Sequence, residues 1–171
     1  FRRVLFRSLE LSPIPVHLET FIRKVAGQFS TQIAEKQLEF RVKLIGQLDV
    51  VVLADDTRLH QILGNLLSNA LKFTHSGSIT LQVEQKREED RQITLDFSVR
   101  DTGIGIPEEK HQEIFDCFTQ AEANTTRNYG GTGLGLTITR DLVKQFGGTL
   151  QLHSQPGEGA VFYFTLRSEE H

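Results

Sequence analysis

The sequence predicts an α+β domain, a two-layer α/β sandwich whose mixed, mostly antiparallel sheet carries its helices on one face. Three observations point there. Segments of alternating apolar and polar residues come in neighbouring pairs joined by short turns, as hairpin strands do. Three longer stretches carry apolar residues at the period of a helix buried on one side. Strands and helices do not alternate one for one, so a doubly wound parallel sheet is disfavoured.

Pro13 and Pro15 force extended or turning backbone, and Leu18, Phe21, Ile22, Val25 and Phe29 then recur at helical spacing. A short strand followed by an amphipathic helix is expected. Leu38, Phe40, Val42 and Leu44 alternate with polar residues, and Val50 to Leu53 form a short apolar run, which predicts two strands with one buried face. Asp55-Asp56 supplies the N-cap of a second helix running to about Thr74, where His75-Ser76-Gly77 ends it. Ile79-Leu81-Val83 and Ile93-Leu95-Phe97-Val99 make a hairpin around the charged turn from Arg87 to Arg91. A short helix is expected beyond Pro107, then a polar stretch from Thr119 to Tyr129 that reads as a mobile lid. A third helix follows, with Leu134, Ile138, Leu142 and Phe146 as its apolar positions and Gly147-Gly148 as its end. Leu150/Leu152 and Phe162/Phe164/Leu166 form a closing hairpin around Gln155-Pro156-Gly157-Glu158-Gly159.

The 171 residues, 38% of them apolar, suit one globular domain with a core. A net charge of −3 and the lack of any Lys/Arg run disfavour nucleic-acid binding and a membrane-surface patch. Cys117 is the only cysteine, which excludes an intrachain disulfide and a thiolate zinc cluster and suits a reducing compartment. There is no apolar stretch of membrane-spanning length and no secretory leader, so no direct membrane contact by this domain is expected. Codons for Val4 to Ser8 can be chosen whose reverse complement encodes Arg167 to His171. Residues 1–8 and 167–171 are therefore expected to be translated flanking adapter sequence, with the domain proper at 9–166.

Three constellations carry chemistry. Gln61, Asn65, Asn69 and Lys72 share one stripe of an otherwise apolar helix. Such groups lose hydration if buried without partners, so the stripe meets either solvent or a ligand. Two amide oxygens suit a hydrated Mg²⁺, and a lysine beside them suits phosphate. Asp101-Thr102-Gly103-Ile104-Gly105-Ile106 places a carboxylate at a strand end beside a turn with little side-chain bulk. A carboxylate there accepts from the adenine amine and repels the guanine carbonyl, although an Asx-capped turn would leave the same signature. Gly130 to Leu136 opens the third helix with closely spaced glycines, and backbone N–H groups at such a start attract phosphate. Arg127 just upstream is a candidate contact for the γ-phosphate. The usual phosphate motifs, G-x-x-x-x-G-K-[ST] and G-x-G-x-x-G after a strand, are absent.

In this order the segments resemble the histidine-kinase catalytic domain of the Bergerat-fold ATPase superfamily, over roughly 9–166. Asn65 to Thr74 is similar to its N box, Asp101 to Ile106 to the G1 box, Ile114 to Phe118 to the F box and Gly131 to Leu136 to the G2 box. Phe118 to Ala121 with Thr125-Thr126-Arg127 and Tyr129 resembles hybrid sensor kinases in particular. The resemblance implies ATP and Mg²⁺ as ligands. Asp101, with Gly103, Gly105 and Ile106, would hold adenine. Asn65 and Asn69 would serve the metal and phosphates, and Asn65 and Lys72 would carry the catalytic positioning. Phe118, Arg127 and Gly131-Thr132-Gly133-Leu134-Gly135 would complete the pocket, under a lid from Asp116 to Gly130. Cys117 stands where the F box usually has proline, and Asn128 where a second basic residue often follows.

The resemblance also implies transfer of a γ-phosphoryl group to a histidine on a separate dimerisation domain, with a response-regulator receiver domain downstream. The parent would be a membrane-bound sensor with this domain in the cytoplasm. No histidine here lies in an acceptor motif, since His17, His60, His75, His111 and His153 are scattered and His171 falls in the terminal stretch. The chain alone is therefore expected to bind ATP without phosphorylating itself. Hydrolytic members of the superfamily use a glutamate to activate water where this chain has Asn65, and an amide is no base at neutral pH. A non-catalytic module that docks a partner kinase is the remaining alternative, and Asn65, Asn69, Lys72 and Asp101 together argue against it.

Overall fold

The computed structural model describes residues 10–105, 109 and 134–171. In chain order the elements are β1 (Ile14–His17), α1 (Leu18–Glu35), β2 (Glu39–Ile45), β3 (Val51–Ala54), α2 (Asp56–Phe73), β4 (Ser78–Glu89), β5 (Gln92–Asp101), α3 (Leu134–Gln145), β6 (Gln151–Ser154) and β7 (Ala160–Glu170). The strands form one sheet in the order β1-β3-β7-β5-β4-β2, and β6 also pairs with β7. Every pairing is antiparallel except β2 with β4. The mixed, mostly antiparallel sandwich is the expected one.

Alternation decides which face of the sheet is covered. Ile79, Leu81 and Val83 of β4, Ile93, Leu95, Phe97 and Val99 of β5, and Phe162, Phe164 and Leu166 of β7 are buried in one core with the helices. Phe97 and Phe164 are cross-strand partners, and their rings stack with centroids 5.0 Å apart. α1 contributes Leu18, Ile22, Val25, Ala26 and Ile33. α2 contributes Leu59, Ile62, Leu63, Leu66, Leu67 and Ala70. The other face carries an open hollow of about 740 Å³ whose lining includes Gln82, Glu84, Asp96, Ser98, Phe146 and Tyr163 and none of the expected site residues.

The structure departs from the sequence reading in two places. The β4–β5 hairpin is longer, because its ladder continues past a bulge at Gln85/Arg87 to a tight turn at Asp90-Arg91, both with positive φ. The buried face of α3 is rotated: Ile138 is 40% exposed, whereas Thr139 is buried with Leu142 and Val143. β7 also runs through Arg167–Glu170, within the 167–171 stretch expected to be flanking sequence. Its end pairs with β5 and β3, and the Ser168 hydroxyl donates to the Leu53 carbonyl at 2.7 Å. A reverse-complement origin concerns the gene, and the pairing belongs to the chain.

Candidate nucleotide site

The site gathers around α2. Asp55 caps it, accepting from the Arg58 N–H at 3.1 Å and from the Ser12 N–H at 2.8 Å. With Leu59, Ile62, Leu63, Leu66, Leu67 and Ala70 directed into the core, Gln61, Asn65, Asn69 and Lys72 lie along the flank, each half-buried. The sequence stripe is thus a real face, at the edge of the core. Asn69 and Lys72 make no hydrogen bond or ion pair with the described residues. At the C-terminus of α2 the Lys36 ammonium donates to the carbonyls of Leu71 and Thr74, the latter at 2.9 Å. That cation neutralises the negative end of the helix.

Asp101 is the last residue of β5 and only 5% exposed. Its Oδ1 accepts from the Gly103 N–H at 2.8 Å, which folds the following turn back on the carboxylate. Burial pushes the carboxyl pKa up from the ordinary aspartate range, while the amides of Gly103 and Ala160 and the Thr74 hydroxyl pull it down. The Thr74 hydroxyl is close enough to favour the charged form but completes no hydrogen bond, and it is a buried polar atom without a partner among the described residues. A buried carboxylate beside an unsatisfied hydroxyl fits a ligand that presents both a donor and an acceptor, as the amidine edge of adenine does.

Two close approaches fix this turn. A methyl group added at Gly103 would lie 2.3 Å from the Phe73 carbonyl oxygen, so the end of α2 lies directly against the turn. Gly105 has φ +72, and a methyl group there would lie 1.9 Å from the Gln155 carbonyl oxygen. The Gly157 N–H also donates to Ile104 O at 2.7 Å. The β6–β7 turn thereby clasps the segment after Asp101.

The start of α3 meets α2 at Asn65. The Asn65 Nδ2 donates to Gly135 O at 3.3 Å and to Thr139 Oγ1 at 3.1 Å. The Thr139 hydroxyl in turn donates to Gly135 O. Since a carbonyl only accepts, the nitrogen of the Asn65 amide must face α3, and the oxygen is the other arm of the planar group. A neutral oxygen beside a second asparagine and a lysine is a donor set that fits a hard cation with phosphate.

Of the expected site residues, Asn65, Asn69, Lys72, Asp101, Gly103, Gly105, Leu134 and Gly135 converge from α2, the β5 end and the α3 start. Ile106, Phe118, Arg127, Gly131, Thr132 and Gly133, with the F box and the Asp116–Gly130 lid, lie outside the described residues. Sequence reasoning missed Lys36, Thr139 and the Ala160 amide. Thr74 lies inside the N-box stretch without having been singled out. Lys36 and Ala160 act from far along the chain and left no local signal. Thr139 was readable as a polar residue on a core phase of its helix.

Residues 54–170 match the family model described as histidine kinase-, DNA gyrase B-, and HSP90-like ATPase, and the chain belongs to that family. Its similarities fall among histidine kinases. It is 39% identical over 158 residues to the signal transduction histidine-protein kinase BarA of Escherichia coli (strain K12), covering 92% of this chain and 17% of BarA. It is 49% identical over 124 residues to the autoinducer 2 sensor kinase/phosphatase LuxQ of Vibrio parahaemolyticus serotype O3:K6, covering 70% of this chain and 14% of LuxQ. The fold matches full-length ShkA, solved with AMPPNP, at a TM-score of 0.79 and 34% identity over 95% of this chain and 32% of ShkA. It matches the catalytic domain of histidine kinase ThkA at 0.71 and 28%, over 91% of this chain and 95% of that domain. The chain therefore spans less than a fifth of the curated relatives' length.

Proposed function

We propose that this domain binds Mg-ATP and presents its γ-phosphoryl group to a histidine on a separate dimerisation domain of a sensor histidine kinase. A response-regulator receiver domain would take the phosphoryl group next, and the parent would be a membrane-bound sensor with this domain on its cytoplasmic side. Among the described residues, no helix is long and apolar enough to cross a membrane. The reading rests above all on Asp101, a buried carboxyl group held by amides and paired with no cation among the described residues.

Asp101 accepts a hydrogen bond from the adenine amine and repels the carbonyl at the same position of guanine, which makes it the base-selecting group. Lys72 places a positive charge beside the phosphates. Asn65 and Asn69 contribute neutral oxygens to the metal. Bound Mg²⁺ supplies charge neutralisation on the phosphates. Gly103 and Gly105 let the end of α2 and the β6–β7 turn close against the segment after Asp101, which shapes the pocket for the base. Phe118, Arg127 and Gly131 to Gly133 are proposed to complete the site over the phosphates. Phosphoryl transfer of this kind demands positioning and electrostatics more than covalent help from the protein.

The test is calorimetric titration of the chain with ATP and GTP, each with and without Mg²⁺. Saturable ATP binding with GTP rejected is expected, and Asp101→Asn should abolish it. Asn128→Arg, restoring a second basic residue after Arg127, should strengthen ATP binding. An Asp101→Asn protein that binds ATP as tightly as the parent would sink the assignment.

A further inference from the structure

Thr139 is a polar residue on the buried phase of α3, with no exposed surface. A threonine there needs hydrogen bonds to offset lost hydration, and it has two. Its hydroxyl donates to Gly135 O, one turn back in the same helix, and so can only accept from Asn65 Nδ2 at 3.1 Å. Gly135 O accepts from the same Nδ2 at 3.3 Å. Two acceptors from α3 thus grip one N–H₂ group of α2: with the amide turned over, Gly135 O would face oxygen, and the Thr139 hydroxyl could meet that oxygen only by giving up its bond to Gly135 O. Packing alone would not distinguish the two orientations, because amide oxygen and nitrogen are nearly the same size.

We propose that Thr139 is a positioning residue that locks the Asn65 side-chain amide with its oxygen away from α3, presenting that oxygen to the metal ion that accompanies nucleotide. The proposal rests on the reading of Asn65 as a metal-facing group. Thr139 touches neither metal nor nucleotide; it removes the flipped rotamer from the ensemble and so raises the fraction of molecules ready to bind metal.

The experiment compares ATP affinity in Mg²⁺ and in EDTA for the whole chain and for Thr139→Val, Thr139→Ser and Asn65→Ala, with thermal melts to confirm that each is folded. Valine keeps the shape and removes the acceptor. In Thr139→Val the gain in affinity on adding Mg²⁺ should shrink by about five-fold, the scale of one neutral hydrogen bond. Affinity in EDTA should stay unchanged, and Thr139→Ser should restore the Mg²⁺ gain. A purely structural role would lower both affinities together, and that result overturns the proposal, as does an undiminished Mg²⁺ gain in Thr139→Val. If Asn65→Ala keeps the full Mg²⁺ gain, the metal reading of Asn65 fails and the proposal goes with it. If Asn65→Ala loses the gain and Thr139→Val keeps it, the metal reading stands and only the role of Thr139 is lost.

Discussion

Asp101 serves two opposed demands. The adenine recognition proposed for it needs the ionised carboxylate, while burial favours the neutral acid and raises its pKa. For an acid whose folded pKa lies above its unfolded value, the folded state binds the extra proton. Its contribution to stability is therefore complete at pH below the ordinary value of 3.8 and is lost as pH rises through the raised folded value. The melting temperature of the nucleotide-free chain should accordingly carry a component that falls with rising pH over that interval. Asp101→Asn should remove this component, so the difference between mutant and parent melts should rise in the mutant's favour from acid to neutral pH. A difference that is flat with pH would show that the site charge has no strain on the fold. ATP should reverse the trend in the parent, since it binds the charged form.

At the scale of elements, the connection from α1 to the end of α2 is the most exposed to test. The single ammonium of Lys36 satisfies carbonyls of Leu71 and Thr74. Lys36→Met keeps the aliphatic stem and leaves both acceptors bare. A loss of about 1–3 kcal/mol in unfolding free energy is expected by denaturant titration. ATP affinity should also weaken, because Phe73 O abuts Gly103 beside the proposed base pocket; an unchanged denaturation midpoint would remove Lys36 from the account. These contacts also mark where sequence reading stops. Alternation exposed β4, β5 and β7 because each has one buried face. The Asn65-Asn69-Lys72 stripe was visible because polar groups interrupt an apolar helix at one phase. The phase of α3 was misjudged because Ile138 is apolar and Thr139 is not, and hydrophobicity was the guide. The hydroxyl's partners, Gly135 O and Asn65 Nδ2, become apparent only once α2 and α3 are side by side. In the same way, the parallel register of β2 on β4 joins strands separated in sequence by β3 and α2, and no local pattern announces it.

Over the whole molecule, β7 is the strand that binds the sheet together. It pairs with β5 along nearly all its length, with β6 near its start and with β3 at its end. Beyond Leu166 it contributes the ladder to Gln92, Ile93 and Thr94, the contacts to Val52 and Leu53, and the bond from the His171 N–H to Val51 O at 2.9 Å. Removing residues 167–171 should therefore detach the β1–β3 pair from the sheet. Amide exchange within Ile14–His17 and Val51–Ala54 should accelerate by at least ten-fold, roughly the effect of a local loss of 1.4 kcal/mol. The Asp101 end of β5, which pairs with the start of β7, should keep its protection. Equal protection with and without these residues would mean that β1 and β3 hold to the core through the helices alone. The position of β7 in the chain has a further effect during synthesis. Asp101 takes one of its two stabilising amides from Ala160, and the turn beside it is clasped by residues 155–157. A ribosome that has released everything up to α3 has thus displayed Asp101 without the turn and strand that seat it. With the nucleotide site proposed above, capture of ATP waits for β7 to leave the exit tunnel, and ATP would stabilise the domain only once that strand is in place.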